Sequence, residues 1–299
     1  MNIRVQQKCP ICDSSKQIVF CEPWVVENDP NKLYGAASGI RGTQRLVTCI
    51  DCEMIYESPR FDASTIIKGY EASNEVEHDS QYNMRVKSFL SALKKHSKKL
   101  PLPGSKVLDI GTAGGAFMEA SNTYGYETFG LEPSADLVIR GKTRGLNIQQ
   151  GTIENHNFQK NSFDMICLWD VIEHLADPKS ALIKIKELLK ADGILLINFP
   201  DIGTLQAKIA GKYFWWILSV HLHHFTRKSI KNLCSATGFQ VFHFQRYWQM
   251  LEFGYLEKMA VHFKIPFSSL IYMLTPHIIR IIPIPYYASQ TTLLARIAK

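Results

Sequence analysis

Lys106-Val-Leu-Asp-Ile-Gly-Thr-Ala-Gly-Gly-Ala-Phe117 reads as three pieces in a row: a short apolar strand, a glycine turn, and the start of a helix continuing through Met118-Glu-Ala-Ser-Asn-Thr-Tyr124. The same alternation repeats downstream. Glu127–Glu132 is the next strand, followed by a helix that Ser134 caps and Gly145 ends. Asn147–Ile153, Phe163–Trp169 and Gly193–Phe199 supply three more strands. Between the last two lies a helix with Asp177 as N-cap and Pro178 at its first position, and with Leu182, Ile185, Leu188 and Leu189 as its apolar stripe. Strands alternating with helices imply an α/β, doubly wound, mostly parallel sheet covered on both faces. In such a sheet ligands bind beyond the C-terminal strand ends, where the strand order reverses.

The first turn is therefore the place to look for a site. Asp109-Ile-Gly111-Thr-Ala-Gly-Gly115 lets a ligand press against backbone. Glu132 closes the next strand twenty-three residues beyond Asp109, where an acid can accept bonds from both ribose hydroxyls. A dinucleotide-dependent oxidoreductase is the rival reading. It is disfavoured because the third glycine of the dinucleotide fingerprint is wrongly spaced here.

These residues resemble the class I S-adenosylmethionine-dependent methyltransferases. VLDIGTAGGAF is similar to their first motif, and the likeness continues through LEPS, GTIE, SFDMICLWDVIEHLADP, LLKADGILLINFP and HLHHFTRKSIKNLCSATGF, over roughly Lys106 to Trp248. The resemblance implies a seven-stranded Rossmann-like sheet and S-adenosylmethionine as methyl donor. It places Asp109, Gly111 and Gly115 in the methionine-side loop, Glu132 on the ribose, Thr152 and Ile153 beside adenine, and Trp169 and Asp170 at the border of the pocket. Ala113 departs from the pattern, standing where a second glycine is usual.

Cysteines mark a second feature. Cys9 and Cys12 form one C-x-x-C knuckle and Cys49 and Cys52 another, and four thiolates suit a tetrahedral structural Zn2+ with no open position. The gap between the knuckles exceeds the commonest spacing, so an insertion is read at about 23–42. A redox pair lacks its βαβ surroundings, and Cys167 and Cys234 read as buried thiols. The knuckles and the following CEMIYESPRFD further resemble a zinc-binding subgroup whose members often act on sugars or polysaccharide precursors. The expected division is a zinc ribbon at 1–60, a helical connector at 61–100 in which Val86, Phe89, Leu90 and Leu93 recur at helical spacing, and a methyltransferase domain at 101–299.

Methyl transfer to a hydroxyl or carbon acid calls for a base. Glu173-His174 stands just past the fourth strand of the sheet. His221-Leu-His223-His224 precedes the helix that Thr226 starts, and by resemblance His224 is the favoured residue. A second metal site on His221, His223 and His224 is disfavoured because no carboxylate clusters with them in sequence.

The whole chain bounds the remaining choices. It has 299 residues, 46% of them hydrophobic and 20% charged, which excludes disorder, collagen and a pure coiled coil. MNIRVQQKCP has no apolar h-region and no stretch suffices to span a bilayer, so a soluble, cytoplasmic protein is expected. Eleven Lys and Arg from Asp201 onward face only Asp201, Glu252 and Glu257, so that third carries +8 of the net +7. An apolar insertion at about 250–287 separates the last two strands. It is rich in Phe263, Ile265, Phe267, Leu270, Ile271, Met273 and Leu274, with Ile278, Ile279, Ile281 and Ile282 beyond Pro276, and Lys264 and Arg280 flank its uncharged stretch. A lid or homodimer interface is the first reading of it and a peripheral membrane contact the second. The expected partner is a small-molecule acceptor, a sugar or nucleotide-sugar. An RNA methyltransferase and a non-enzymatic adaptor retaining the fold stay as alternatives, the first disfavoured by the absence of an Arg and aromatic stripe in the cysteine region.

Overall fold

Strands rich in Val, Ile and Leu, each followed by a capped amphipathic helix, bury both faces of a sheet when they stack in parallel. The computed structural model describes residues 4–34, 39–71, 81–262 and 266–298. It opens with β1 (Gln17–Cys21), α1 (Pro30–Tyr34), β2 (Leu46–Cys49), β3 (Ile55–Glu57), α2 (Ala63–Glu71) and α3 (Tyr82–His96). The alternating region follows: β4 (Lys106–Ile110), α4 (Ala116–Tyr124), β5 (Glu127–Glu132), α5 (Ala135–Thr143), β6 (Ile148–Gln150), β7 (Phe163–Trp169), α6 (Pro178–Leu188) and β8 (Leu189–Pro200). Then come α7 (Leu205–Ala210), β9 (His223–His224), α8 (Arg227–Ala236) and β10 (Phe239–Arg246). The chain ends with β11 (Gln249–Glu252), α9 (Phe253–His262), α10 (Ser268–Leu274), α11 (His277–Arg280), β12 (Pro283–Tyr286) and β13 (Gln290–Ile297).

The main sheet has seven strands in the order β10-β13-β8-β7-β4-β5-β6. Strands β4 to β8 run parallel, and β13 lies antiparallel between β8 and β10. The order reverses between β4 and β7, which places the switch point at the glycine turn. Alternate residues feed two cores, as the period of a strand requires. Leu108, Ile110, Ile166 and Leu168 pack on one face with α6 and α8 residues. Val107, Met165, Cys167 and Trp169 pack on the other with Phe89 and Leu93 of α3 and Phe117 of α4.

Local signals act as read, with shifts at the ends. Asp177 accepts from the Ser180 N–H at 3.0 Å and Pro178 occupies the first turn of α6. Leu189 starts β8 instead of ending the helix. Ser134 stands at the N-cap of α5 without a side-chain cap bond, and Gly145, at φ 77°, closes its far end.

The N-terminal strands and α3 both pack on the main sheet. β1, β2 and β3 form an antiparallel sheet whose fourth strand is β9, with Ile55 opposite His224 and Tyr56 opposite His223. Cys9, Ile11, Val47, Met54 and Tyr56 also share a core cluster with Leu108 and Ile166 of the main sheet. Burying a side chain such as Met54 is worth about 1.5–3 kcal/mol, so this shared cluster holds the N-terminal strands against the main sheet. Within the segment read as a helical connector, α3 buries Phe89 and Leu93 against the sheet. The insertion stands on a two-stranded stem, β11 with β12, tied to α3 by the Met250 N–H donating to Ser88 Oγ at 2.7 Å. Phe267, Met273 and Ile278 are 78%, 71% and 74% exposed, so this face is not folded over the cleft. Phe263, Lys264 and Ile265 lie outside the described residues. No helix among the described residues is long and apolar enough to cross a membrane.

Candidate active site and cysteine cluster

The turn after β4 is built by backbone that L side chains resist. Gly111 and Gly115 have φ of 67° and 88°. A Cβ on Gly111 would meet Val171 at 2.7 Å and one on Gly115 would meet Leu146 at 2.2 Å. Ala113, the departure from the glycine pattern, also sits at positive φ, 49°. Its N–H donates to Glu132 Oε2 at 2.9 Å, while the Ser134 N–H donates to Glu132 Oε1 at 2.9 Å. The carboxylate thus clamps the glycine turn to the start of α5.

A cleft opens above this turn. Asp109, Gly111 to Gly114 and Trp169 line it from the sheet, and Tyr82, Arg85 and Phe89 of α3 line it from above. Asp109 is 2% exposed, with Oδ1 lacking a hydrogen-bond partner among the described residues. Burial pushes its carboxyl up to about 7, the nearby Glu132 adding to the rise and Arg85 opposing it. Trp169 packs on Phe89 and Phe117 at ring distances of 4.9 and 5.3 Å. Asp170, at φ 56°, accepts from Asn198 Nδ2 at 2.7 Å and Gln290 Nε2 at 2.6 Å, so it binds the tips of β8 and β13 to β7. Beyond Glu132 a second hollow is lined by Pro133, Gln150, Gly151, Thr152, Asn155 and Ile67 of α2. Thr152 faces that hollow, whereas Ile153 belongs to the core cluster.

The histidines gather on the other side of β7. His174 Nδ1 lies 2.9 Å from Val220 O and bonds the Tyr70 hydroxyl, which itself donates to Val220 O at 3.1 Å. His221 Nδ1 lies 2.7 Å from Trp216 O. The rings of His174 and His221 meet edge-on at 4.7 Å, and His224 follows at 6.4 Å from His221. His224 Nε2 is buried without a partner among the described residues. Burial, then His221, pushes its pKa down to about 3, so the ring is neutral at pH 7. His223 is engaged elsewhere, with Nε2 at 3.0 Å from Leu175 O and 3.4 Å from Arg60. Glu173 is 1% exposed, and burial, then Asp170, raises its carboxyl well above the usual range. The sequence shows no carboxylate beside His221, His223 and His224; the fold brings the adjacent pair Glu173 and His174 to His221, with one potential ligand atom of each within 4.8 Å of the others.

Tyr70, Tyr82 and Arg85 went unread because they fall in the segment taken as a connector. One signal was present: Tyr82, Arg85 and Phe89 are spaced i, i+3, i+7, a single helix face.

The four cysteines meet as their spacing predicts. Sγ separations are 3.3 Å for Cys9 and Cys52, 3.6 Å for Cys12 and Cys49, and 3.6 Å for Cys12 and Cys52. A disulfide would need about 2.05 Å. A tetrahedron of sulfurs about 2.3 Å from zinc has edges of about 3.8 Å. The two knuckles share one design: the Asp13 N–H donates to Cys9 O at 3.0 Å and the Glu53 N–H to Cys49 O at 2.9 Å, with both residues at positive φ. Cys21, Cys167 and Cys234 are buried outside the cluster.

Comparison with known proteins agrees with this geometry. Residues 77–243, more than half of the chain, match the family described as Methyltransferase domain. A ubiquinone biosynthesis O-methyltransferase of Glaesserella parasuis serovar 5 is 36% identical over 46% of this chain and 66% of its own length. A mitochondrial ubiquinone biosynthesis O-methyltransferase of Dictyostelium discoideum is 26% identical over 47% of this chain and 50% of its own. The chain thus spans between half and two thirds of these relatives. In fold it is similar to a chain of the complex between the Haloferax volcanii Trm112 methyltransferase activator and a protein named there as a methyltransferase, with TM-score 0.52 and 16% identity over 76% of this chain and 100% of that one. The chain belongs to the class I S-adenosylmethionine-dependent methyltransferases.

Proposed function

We propose that the chain binds S-adenosylmethionine across the cleft and hollow on either side of Glu132 and moves its methyl group to a hydroxyl of a small molecule. The observation that carries this reading is Glu132 itself, a buried carboxylate held by two backbone amides at the end of β5 with both oxygens fixed in direction. In this reading Asp109, Gly111 and Gly115 hold the methionine end, Glu132 takes the ribose hydroxyls, Thr152 and Ile153 flank adenine, and Trp169 and Asp170 border the pocket. When bound, the donor supplies an electrophilic methyl group, so the protein has to align the acceptor and remove its proton. His224, whose buried Nε2 has no hydrogen-bond partner among the described residues, is the proposed acceptor of that proton, with Glu173 and His174 as the other candidates. The relatives' names favour an oxygen acceptor and give no support to polysaccharide synthesis. A sugar or nucleotide-sugar rests on the resemblance of the cysteine knuckles and the following CEMIYESPRFD and is the narrower alternative.

The cysteine cluster is proposed to hold a structural zinc ion, for which its sulfur spacing and turn geometry are suited. The exposed face of the insertion is proposed as a contact for a membrane surface or a second copy.

Calorimetric titration with S-adenosylhomocysteine tests the donor site. Glu132→Ala, which removes about 2 kcal/mol of charged hydrogen bonding, is expected to weaken binding about 30-fold, while His224→Ala and His174→Ala leave it nearly unchanged and lower turnover. Absence of any affinity in the unaltered protein overturns the reading. Assay with hydroxylated benzenes against nucleotide-sugars then decides the acceptor class.

A further inference from the structure

The two spaces on either side of Glu132 differ in size. The hollow beyond it has a volume of about 400 Å3, whereas the cleft above the glycine turn has about 20 Å3. A cavity of the smaller size takes about one water molecule, far less than the amino-acid end of S-adenosylmethionine. Yet Asp109, which lines it, keeps a buried Oδ1 without a partner among the described residues. In the donor reading, on which this inference rests, the cleft has to open before the donor can seat.

The residues of α3 that cover the cleft are held unequally. Phe89 is fixed in the aromatic cluster, its ring 4.9 Å from Trp169, 5.5 Å from Phe117 and 6.2 Å from Tyr247. Tyr82, two turns earlier, is half-buried and held by polar contacts. Its hydroxyl donates to Glu119 Oε2 of α4 at 2.8 Å, and the guanidinium of exposed Arg144, just past α5, lies 4.2 Å over its ring. Arg144 Nη1 also donates to Gly114 O at 3.0 Å, so one side chain joins the tyrosine to the glycine turn. Contacts of this kind near the surface contribute little each and exchange readily with water, whereas a buried aromatic ring does not come free.

We infer that Tyr82 is the gate of the donor cleft, a positioning residue whose ring, clasped by Glu119 and Arg144, covers the methionine end and swings aside for S-adenosylmethionine to enter and S-adenosylhomocysteine to leave. A gate governs entry and exit together. A residue that only supports the pocket would, on removal, speed exit alone.

Stopped-flow binding of S-adenosylhomocysteine, followed by tryptophan fluorescence, separates the two. Arg144→Ala is expected to raise the association and dissociation rate constants together by about tenfold. Tyr82→Phe keeps the ring under Arg144 but loses the bond to Glu119, and should raise both by about threefold. Tyr82→Phe decides the matter if Arg144→Ala does not fold. Faster exit with unchanged entry, or unaltered rates in the variants, overturns the gate and leaves the donor site standing. Absence of binding in the unaltered protein removes the donor reading and the gate with it.

Discussion

Asp109 shows how a single residue carries both a cost and a use. Its carboxyl is raised to about 7 chiefly by burial, above the ordinary unfolded value near 4. The folded form therefore prefers the proton. Stability from this group is complete below the unfolded pKa and is lost as pH rises from there to the folded pKa, levelling off above about 7. Glu57, fully buried and also raised to about 7 by burial against the pull of Arg4, acts in the same window and the same direction. Urea unfolding without donor is thus expected to show a lower midpoint at pH 8 than at pH 5, by an amount worth about a few kcal/mol. Asp109→Asn should remove part of that slope and abolish tight donor binding; a midpoint that rises between pH 5 and 8 would contradict the account. Asp109, Glu132 and the Glu173-His174 pair were legible because each sits at a fixed offset from a strand end. Tyr70 and Arg85 were not, since their roles depend on which helix face meets the cleft, and that is decided by packing far away in sequence.

At the scale of elements, regular strands and capped helices were readable because their periodicity is local. β9 was not. Two residues have no period, and its partner β3 lies more than 160 residues earlier in the chain. Its grip on the histidines is nonetheless firm: the Glu57 N–H donates to Leu222 O at 2.9 Å, and Gln44 Nε2 donates to His221 O at 2.8 Å. The cysteine cluster lies at the ends of the strands that hold β9, so loss of the proposed zinc ion should loosen the histidines before the donor cleft. Chelation of the cysteine-bound metal, or Cys12→Ser, is expected to speed amide hydrogen exchange at Leu222 to His224 by about tenfold or more, with donor affinity within about twofold. Unchanged exchange in the stripped protein would show that β9 does not depend on the cluster.

The whole molecule combines a mostly parallel sheet that the alternating pattern foretold, and whose seven strands the family resemblance implied, with an appendage that the pattern did not. The insertion was visible as an excess of apolar residues, but composition could not say whether that surface turns inward or outward. The fold turns it outward, with Phe267, Leu270, Met273 and Ile278 all exposed. Replacing Met273, Leu274 and Ile278 by Ser is expected to reduce flotation with anionic vesicles, or self-association in sedimentation, and to leave S-adenosylhomocysteine affinity unchanged. Identical behaviour of the variant and the unaltered protein in both measurements would remove the proposed contact.

The pairing of β3 with β9 also orders events during synthesis. A ribosome adding about 5–20 residues per second leaves β3 without its outer neighbour for roughly ten to thirty seconds while the intervening chain emerges. Throughout that interval the nascent N-terminal strands present an open edge with unpaired amides, the kind of edge that invites pairing with another chain. Pairing between neighbouring nascent chains is the hazard expected in that interval, and capture of the proposed zinc ion by Cys9, Cys12, Cys49 and Cys52, all made before β3, would brace these strands early.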